Sequence, residues 1–310
     1  MAVQATNRVL MIRPANFGYN YETEKDNAFQ NEKAVSKHKD ANAKARVEFD
    51  LFVKKLRAAG VKVDIWHEND RLVNTDSIFP NNWVSFHQDN SLAIYPMNAP
   101  TRRKERDPQI IDWIRTKYRV EKMVDFTTYE KENIFLEGTG SLILDRVKKV
   151  AYACLSPRTN KRLLNRFCKR FGYKKHVFSA VDQNGMDIYH TNVMMTMGDS
   201  FVVICKESVA KKKERKALIK QLKKNKKDII TISWKQMNRF AGNMLLLKGK
   251  KDKNIIVMSK RAYKSLALKQ IKQLERHGKI LYSNIKTIED LGGGSVRCML
   301  AEVFLDLKFA

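Results

Sequence analysis

The chain has 310 residues, enough for one large domain or two average ones, and 43% apolar with 9% aromatic residues supply a sizeable core, which excludes a disordered or fibrous protein. Sixty basic against 33 acidic side chains leave a formal charge of +27, which draws polyanions, anionic surfaces and anionic metabolites but says nothing about fold. Thirteen Gly and six Pro are too few for a collagenous or linker-rich chain, and no apolar stretch approaches the roughly 20 residues of a membrane span, so no membrane partner is expected.

In chain order, the apolar run VLMI is cut at Arg13 and Pro14, too early for a signal-peptide core, which reads as a cytoplasmic protein. RVLMIRP predicts an opening strand, residues 24 to 60 a polar helix, and VKVDIWH a second strand. A hairpin follows in Asn81-Asn82-WVSFHQDNSLAIYPM, with its turn at Asp89-Asn90. The same pattern returns in Glu137-Gly138-TGSLILDRVKKVAYACLS, turning between Asp145 and Lys149, and in His190-TNVMMTMGDSFVVIC, turning at Gly198-Asp199. Ala241-Gly242-NMLLLKGKKDKNIIVMS turns through GKKDK, and GGGSVRCMLAEVFL supplies one more strand near the C-terminus. Between these hairpins lie basic segments with apolar residues at helical steps, at about 100–119, 157–173, 207–227 and 259–277.

One polar residue near each strand start gives Asn82, Glu137, His190, Asn243 and Cys298, spaced 55, 53, 53 and 55 apart. A near-constant period is an architectural signal. It predicts one closed α/β domain over residues 1–310, built from five pseudo-symmetric ββαβ-like units, the first strands pairing with the C-terminal one. Closure about one axis would bring Asn82, Glu137, His190 and Cys298 to a common mouth. A thiol, an imidazole and a carboxylate there form a nucleophile, an acid/base and an orienting group.

Cysteine is mostly thiol at neutral pH, and the thiolate is the nucleophile, so it needs help. Gly292-Gly293-Gly294 could admit backbone N–H groups to the sulfur or to a developing anion, and a protonated His190 would add to this. The four cysteines lie 14, 37 and 93 residues apart, without a CxxC pair or a dense disulfide pattern. Cys154 and Cys205, inside VAYACLS and FVVICKE, read as buried small hydrophobes. The remaining histidines read as structural, and the His and Cys spacings suit no metal, so neither a metal nor a cofactor is expected. Residues 211–228 hold ten basic side chains among 18 without interleaved aromatics. With Ala217, Leu218 and Leu222 as an apolar stripe, this is an external helix rather than a specific nucleic-acid site.

IFPNNW (78–83), FLEGTGS (135–141), LSPRTN (155–160), YHTNVMM (189–195) and GGGSVRCM (292–299) together resemble the guanidino-group-modifying amidinotransferase superfamily, which includes arginine deiminases and dimethylarginine hydrolases. The nearest subgroup looks like the citrulline utilisation hydrolases, and the resemblance runs from about Val9 to Leu305. It implies the pentein α/β-propeller fold and a covalent mechanism. By it, Cys298 attacks a guanidino or ureido carbon, His190 protonates the leaving nitrogen and then activates water, and Glu137 holds the imidazole. Arg158 and one arginine of Thr101-Arg102-Arg103-Lys104, taken as Arg103, resemble positions that bind or frame an α-carboxylate, with Arg158 the first choice. Phe79, Asn82, Asn192 and Asp76 complete the expected substrate contacts.

The arginine-using branches place aspartates where this chain has Asn82 and Asn192. An arginine guanidinium keeps its charge, and burying it without anions is costly, whereas neutral amides suit a neutral ureido group. The expected substrate is therefore citrulline or a related ureido acid, unless Asp76 or Asp187 restores a negative charge. The alternatives are arginine deiminase, dimethylarginine hydrolase or amidinotransferase activity, and, outside enzymes, an idle basic scaffold that binds anionic partners. A homo-oligomer is compatible with each.

Overall fold

The computed structural model describes residues 2–25, 27–69 and 74–309. Strand β1 (Arg8–Arg13) runs parallel to β2 (Lys62–His67), with Arg8 opposite Lys62 and Arg13 opposite His67. The next unit is the hairpin β3 (Val84–Phe86) and β4 (Ser91–Ile94), followed through a helix by β5 (Lys122–Asp125), which is parallel to β4. The same plan recurs in β6 (Ile143–Asp145), β7 (Val150–Cys154) and β8 (Lys174–Phe178), and in β9 (Met195–Met197), β10 (Phe201–Ile204) and β11 (Asp228–Thr231). It appears once more in β12 (Leu245–Lys248), β13 (Asn254–Ser259) and β14 (Lys279–Ser283). Finally β15 (Ala301–Glu302) lies antiparallel to β1, Val9 opposite Glu302, so both ends of the chain build the fifth three-stranded sheet.

Local chemistry sets the hairpins. Asn90 (φ 54°) and Lys149 (φ 52°) take left-handed conformations in the first two turns, a backbone state that asparagine tolerates better than most residues. The inner strands adjoin in turn around the axis: β15 touches β3, β6 touches β9, and β9 touches β12. The middle strands β4, β7 and β10 are buried along their whole length. Helices cover one face and the neighbouring units the other, so no face of these strands meets water.

The helices depart from the expected spans where capping intervenes. The stretch 100–119 splits because Asp107 accepts a hydrogen bond from the Gln109 N–H and Pro108 starts a new helix, Pro108–Lys117. The stretch 259–277 divides at Leu266, whose ψ of 141° is extended. The basic helix Lys212–Lys224 buries Leu218 and Leu222, while Ala217 is exposed and outside the stripe. Of the helix expected over 24–60, only Ala41–Ala58 forms, after a short 3-10 turn at Glu32–Lys37. Among the described residues no helix is long and apolar enough to cross a membrane.

Candidate active site

The periodic polar residues sit at the ends of tight turns that precede the inner strands. Asn82 ends the 3-10 turn Pro80–Asn82, Glu137 caps the single turn Gly138–Ser141, and His190 caps Thr191–Met194. Cys298 lies in a turn closed by its own N–H to the Ser295 carbonyl. Two glycines of FLEGTGS allow this crowding. Gly138 has φ 45°, and a Cβ there would stand 2.4 Å from the Asn81 carbonyl oxygen; a Cβ on Gly140 would stand 2.4 Å from Asn82 Nδ2 and 2.9 Å from His190 Nδ1.

His190 Nε2 lies 2.7 Å from Glu137 Oε2, and both side chains are buried. Glu137 Oε1 accepts from the Asn98 N–H at 2.9 Å, and Arg158 NH1 stands 3.6 Å from Oε2. Burial would raise the Glu137 carboxyl, but Arg158, the His190 hydrogen bond and Arg102 together hold it at about 2. Burial lowers His190, helped by Arg158 and Arg102 and opposed by Glu137. The imidazole is therefore neutral at pH 7, with Nε2–H donated to the carboxylate and Nδ1 left as its basic nitrogen.

Asn82 Oδ1 accepts from Arg102 NH1 at 2.9 Å, while Asn82 Nδ2 is buried without a hydrogen-bond partner among the described residues. Arg102 also forms a two-pronged pair with Glu105, at 2.7 and 3.0 Å, and donates to the Phe79 carbonyl. Burial pushes Glu105 up to about 7 despite Arg102. Asp76 lies 3.8 Å from Arg102 Nε and accepts from Asn20; its other oxygen is buried and unpartnered among the described residues, and desolvation raises its carboxyl. Cys298 Sγ receives Asn192 Nδ2 and Asn243 Nδ2, each at 3.4 Å, and Asn192 Oδ1 is buried and unpartnered among the described residues.

Asp76, Asn82, Arg102, Arg158, His190 and Cys298 line one cavity of about 20 Å³, room for about one water molecule. Thr23 and Asn27 line it too; Asn27 comes from the segment expected to be helical. The structure thus brings together Cys298, His190, Glu137, Asn82, Asn192, Arg158, Phe79 and Asp76. It does not bring in Arg103, which donates to the Met97 carbonyl at 3.0 Å and pairs with Glu130; the buried arginine of that turn is Arg102. Asp187 is exposed and takes no part. The Gly292 to Gly294 triplet also serves another purpose than expected. Cβ atoms on Gly292 and Gly294 would meet the Phe79 ring at 2.7 and 2.8 Å, so these glycines admit an aromatic ring, and the donors on sulfur are side-chain amides.

The family of eukaryotic N,N-dimethylarginine dimethylhydrolases matches residues 13–305. The chain belongs to that family, one of guanidino-modifying hydrolases. Among solved structures, apo ArgZ, an arginine dihydrolase from the ornithine-ammonia cycle in cyanobacteria, superposes with a TM-score of 0.74 at 15% identity over 96% of this chain. The chain spans 40% of the length of that protein. The N-terminal domain of ArgZ, in a variant bound to substrate, gives 0.74 at 14% identity, covering 96% of this chain and 97% of that one. A variant dimethylarginine dimethylaminohydrolase carrying an adduct with S-methyl-L-thiocitrulline gives 0.64 at 16%, covering 97% and 100%. These likenesses establish the pentein fold. No curated protein matches the sequence.

In this member of the dimethylarginine dimethylhydrolase family, Arg102, Glu105 and Asn243 are site residues that the motifs did not single out. Arg102 and Glu105 carry a readable signal, an Arg-x-x-Glu pair that runs past the end of the short helix Pro100–Arg103. Asn243 stands on the 54-residue period, its only mark. The other thiols differ sharply from Cys298 in their surroundings. Burial pushes Cys154 up to about 12, and its sulfur donates to the Ile188 carbonyl, the environment of an inert thiol.

Proposed function

We propose that this protein is a cysteine hydrolase of a ureido amino acid, with citrulline the preferred substrate, acting as one catalytic domain through a covalent thiol intermediate. The observation that carries this reading is the polarity of the two asparagines. Arg102 occupies Asn82 Oδ1, which leaves the Asn82 amide N–H groups as a buried donor; Cys298 occupies Asn192 Nδ2, which leaves Asn192 Oδ1 as a buried acceptor. A ureido group offers one oxygen acceptor and N–H donors, and so satisfies both. A guanidinium has five N–H donors and no acceptor, so it leaves the Asn82 donor facing donors.

In this scheme His190 Nδ1 takes the Cys298 proton and the sulfur attacks the ureido carbon. The oxygen gains charge against Asn82 Nδ2. The C–N bond breaks, the departing nitrogen takes the proton back from His190, and an S-acyl adduct remains on Cys298. His190 then removes a proton from water, whose oxygen displaces the sulfur, and the freed sulfur takes that proton back from His190, which restores the starting enzyme. Glu137 keeps the imidazole in the tautomer that this needs. Arg158 faces the substrate carboxylate and Asp76 its ammonium group.

One observation favours a second reading. The unpartnered oxygen of Asp76 could pair with a guanidinium, which would suit arginine or N,N-dimethylarginine, the substrate in the family's name. Steady-state assays with citrulline, arginine and dimethylarginine, scoring ammonia, ornithine and citrulline, separate the two. Citrulline should show the highest kcat/KM; faster turnover of arginine or dimethylarginine would overturn the ureido assignment.

A further inference from the structure

The fourth unit supplies a side chain to the reaction centre for which the covalent scheme has no role. Asn243 is almost wholly buried, and both ends of its amide are committed. Oδ1 accepts the backbone N–H of Arg297, the residue before the nucleophile, at 3.0 Å. This contact fixes which end is which, because a flipped amide would set N–H against N–H. The Nδ2 end must then point the other way, where it donates to the Asn192 carbonyl at 3.1 Å and approaches Cys298 Sγ at 3.4 Å. Close packing of the two asparagine-bearing turns allows this. A Cβ on Gly242 would stand 2.2 Å from the Val193 carbonyl oxygen, and Thr196 Oγ1 donates to the Gly242 carbonyl at 2.6 Å.

We propose that Asn243 is a catalytic residue that, together with Asn192, stabilises the Cys298 thiolate formed when His190 takes its proton, through two amide N–H donors. A donor aimed at sulfur gains little from a thiol and much from an anion, since hydrogen bonds to charged acceptors are about twice as strong as those to neutral ones. Cys154 differs in the same protein: its sulfur contacts the Ile188 carbonyl and the Thr191 hydroxyl, each at 3.4 Å, rather than two amides. Asn243 also grips the Asn192 carbonyl, so it steadies the second donor as well as providing the first. The inference rests on Cys298 being the nucleophile but not on the choice of substrate.

The test is alkylation of Cys298 by iodoacetamide, followed by peptide mass spectrometry in the full-length protein, at pH 7 and pH 10. Asn243→Ala removes the donor. Asn243→Asp keeps the shape and turns an acceptor toward the sulfur, so it serves even if the alanine variant folds poorly. At pH 7 Asn243→Ala should react about tenfold more slowly than the parent, and Asn243→Asp more slowly still. At pH 10, where free thiols are ionised, the rates should converge. Variant rates within twofold of the parent at pH 7, or an equal deficit at both pH values, would overturn the role of Asn243. Undiminished turnover by parent protein whose Cys298 has been fully alkylated would instead remove the nucleophile itself.

Discussion

Replacing Cys298 with Ser should lower kcat/KM by about a thousandfold or more, on whichever ureido or guanidino substrate the protein turns over, while the circular dichroism spectrum and melting temperature stay close to those of the parent. The activity loss follows from the nucleophile. Asn192 and Asn243 can still donate to a hydroxyl oxygen, but two amide hydrogen bonds do not ionise an alcohol as they can a thiol. The preserved fold follows from size, since one chalcogen replaces another in a site that is already formed. A Cys298→Ser protein with near-parental turnover would take the sulfur out of the chemistry.

Glu137→Gln should cost about a hundredfold or more in kcat and should also change both pH profiles in a set direction. The catalytic loss arises because an amide can present N–H to His190 Nε2 and so favour the wrong tautomer. The acid limb of kcat/KM reports protonation of His190, and burial already places that limb below the ordinary histidine value of 6.5. Glu137 opposes this shift, so removing its charge should move the limb to lower pH still. For stability, the folded carboxyl is depressed from 4.5 to about 2, a difference of about 3 kcal/mol. That contribution is complete above the ordinary carboxylate value and is lost as pH falls through 4.5 toward 2. Urea unfolding should therefore show the parent more stable than Glu137→Gln at pH 6, with the gap closing on acidification. A gap that stays constant from pH 6 to pH 3 would mean that Glu137 is not held as an anion.

The period of about 54 residues was legible because each unit repeats a hairpin, a basic helix and a polar residue at the mouth, and Asn82, Glu137, His190 and Cys298 do share one neighbourhood. What the spacing could not convey was the short helical turn just before β3, β6 and β9. Gly138–Ser141 and Thr191–Met194 are four residues long, too short for any periodicity. Arg102 and Arg103 are adjacent on one turn and so point about 100° apart; only the start at Pro100 and the partner Glu105 reveal which one turns inward.

Other features depended on contacts between distant parts of the chain. Residues 24 to 40 carry helix-favouring side chains, yet Asn27 and Gln30 hydrogen-bond to the Gly292 and Leu291 carbonyls, and these links override local propensity. The glycine triplet answers to the Phe79 ring, more than 200 residues away in sequence. Most consequential is the orientation of Asn82 and Asn192. A sequence shows an amide but not which end is free, and here Arg102 and Cys298 decide that.

The most direct measurement is intact-protein and peptide mass spectrometry of the parent protein mixed with citrulline and quenched at intervals during turnover. An S-acyl adduct should appear on the peptide containing Cys298 while citrulline is being consumed and vanish once it is spent. Turnover with that peptide unmodified throughout, or an adduct on Cys154, Cys168 or Cys205 instead, would contradict the covalent account.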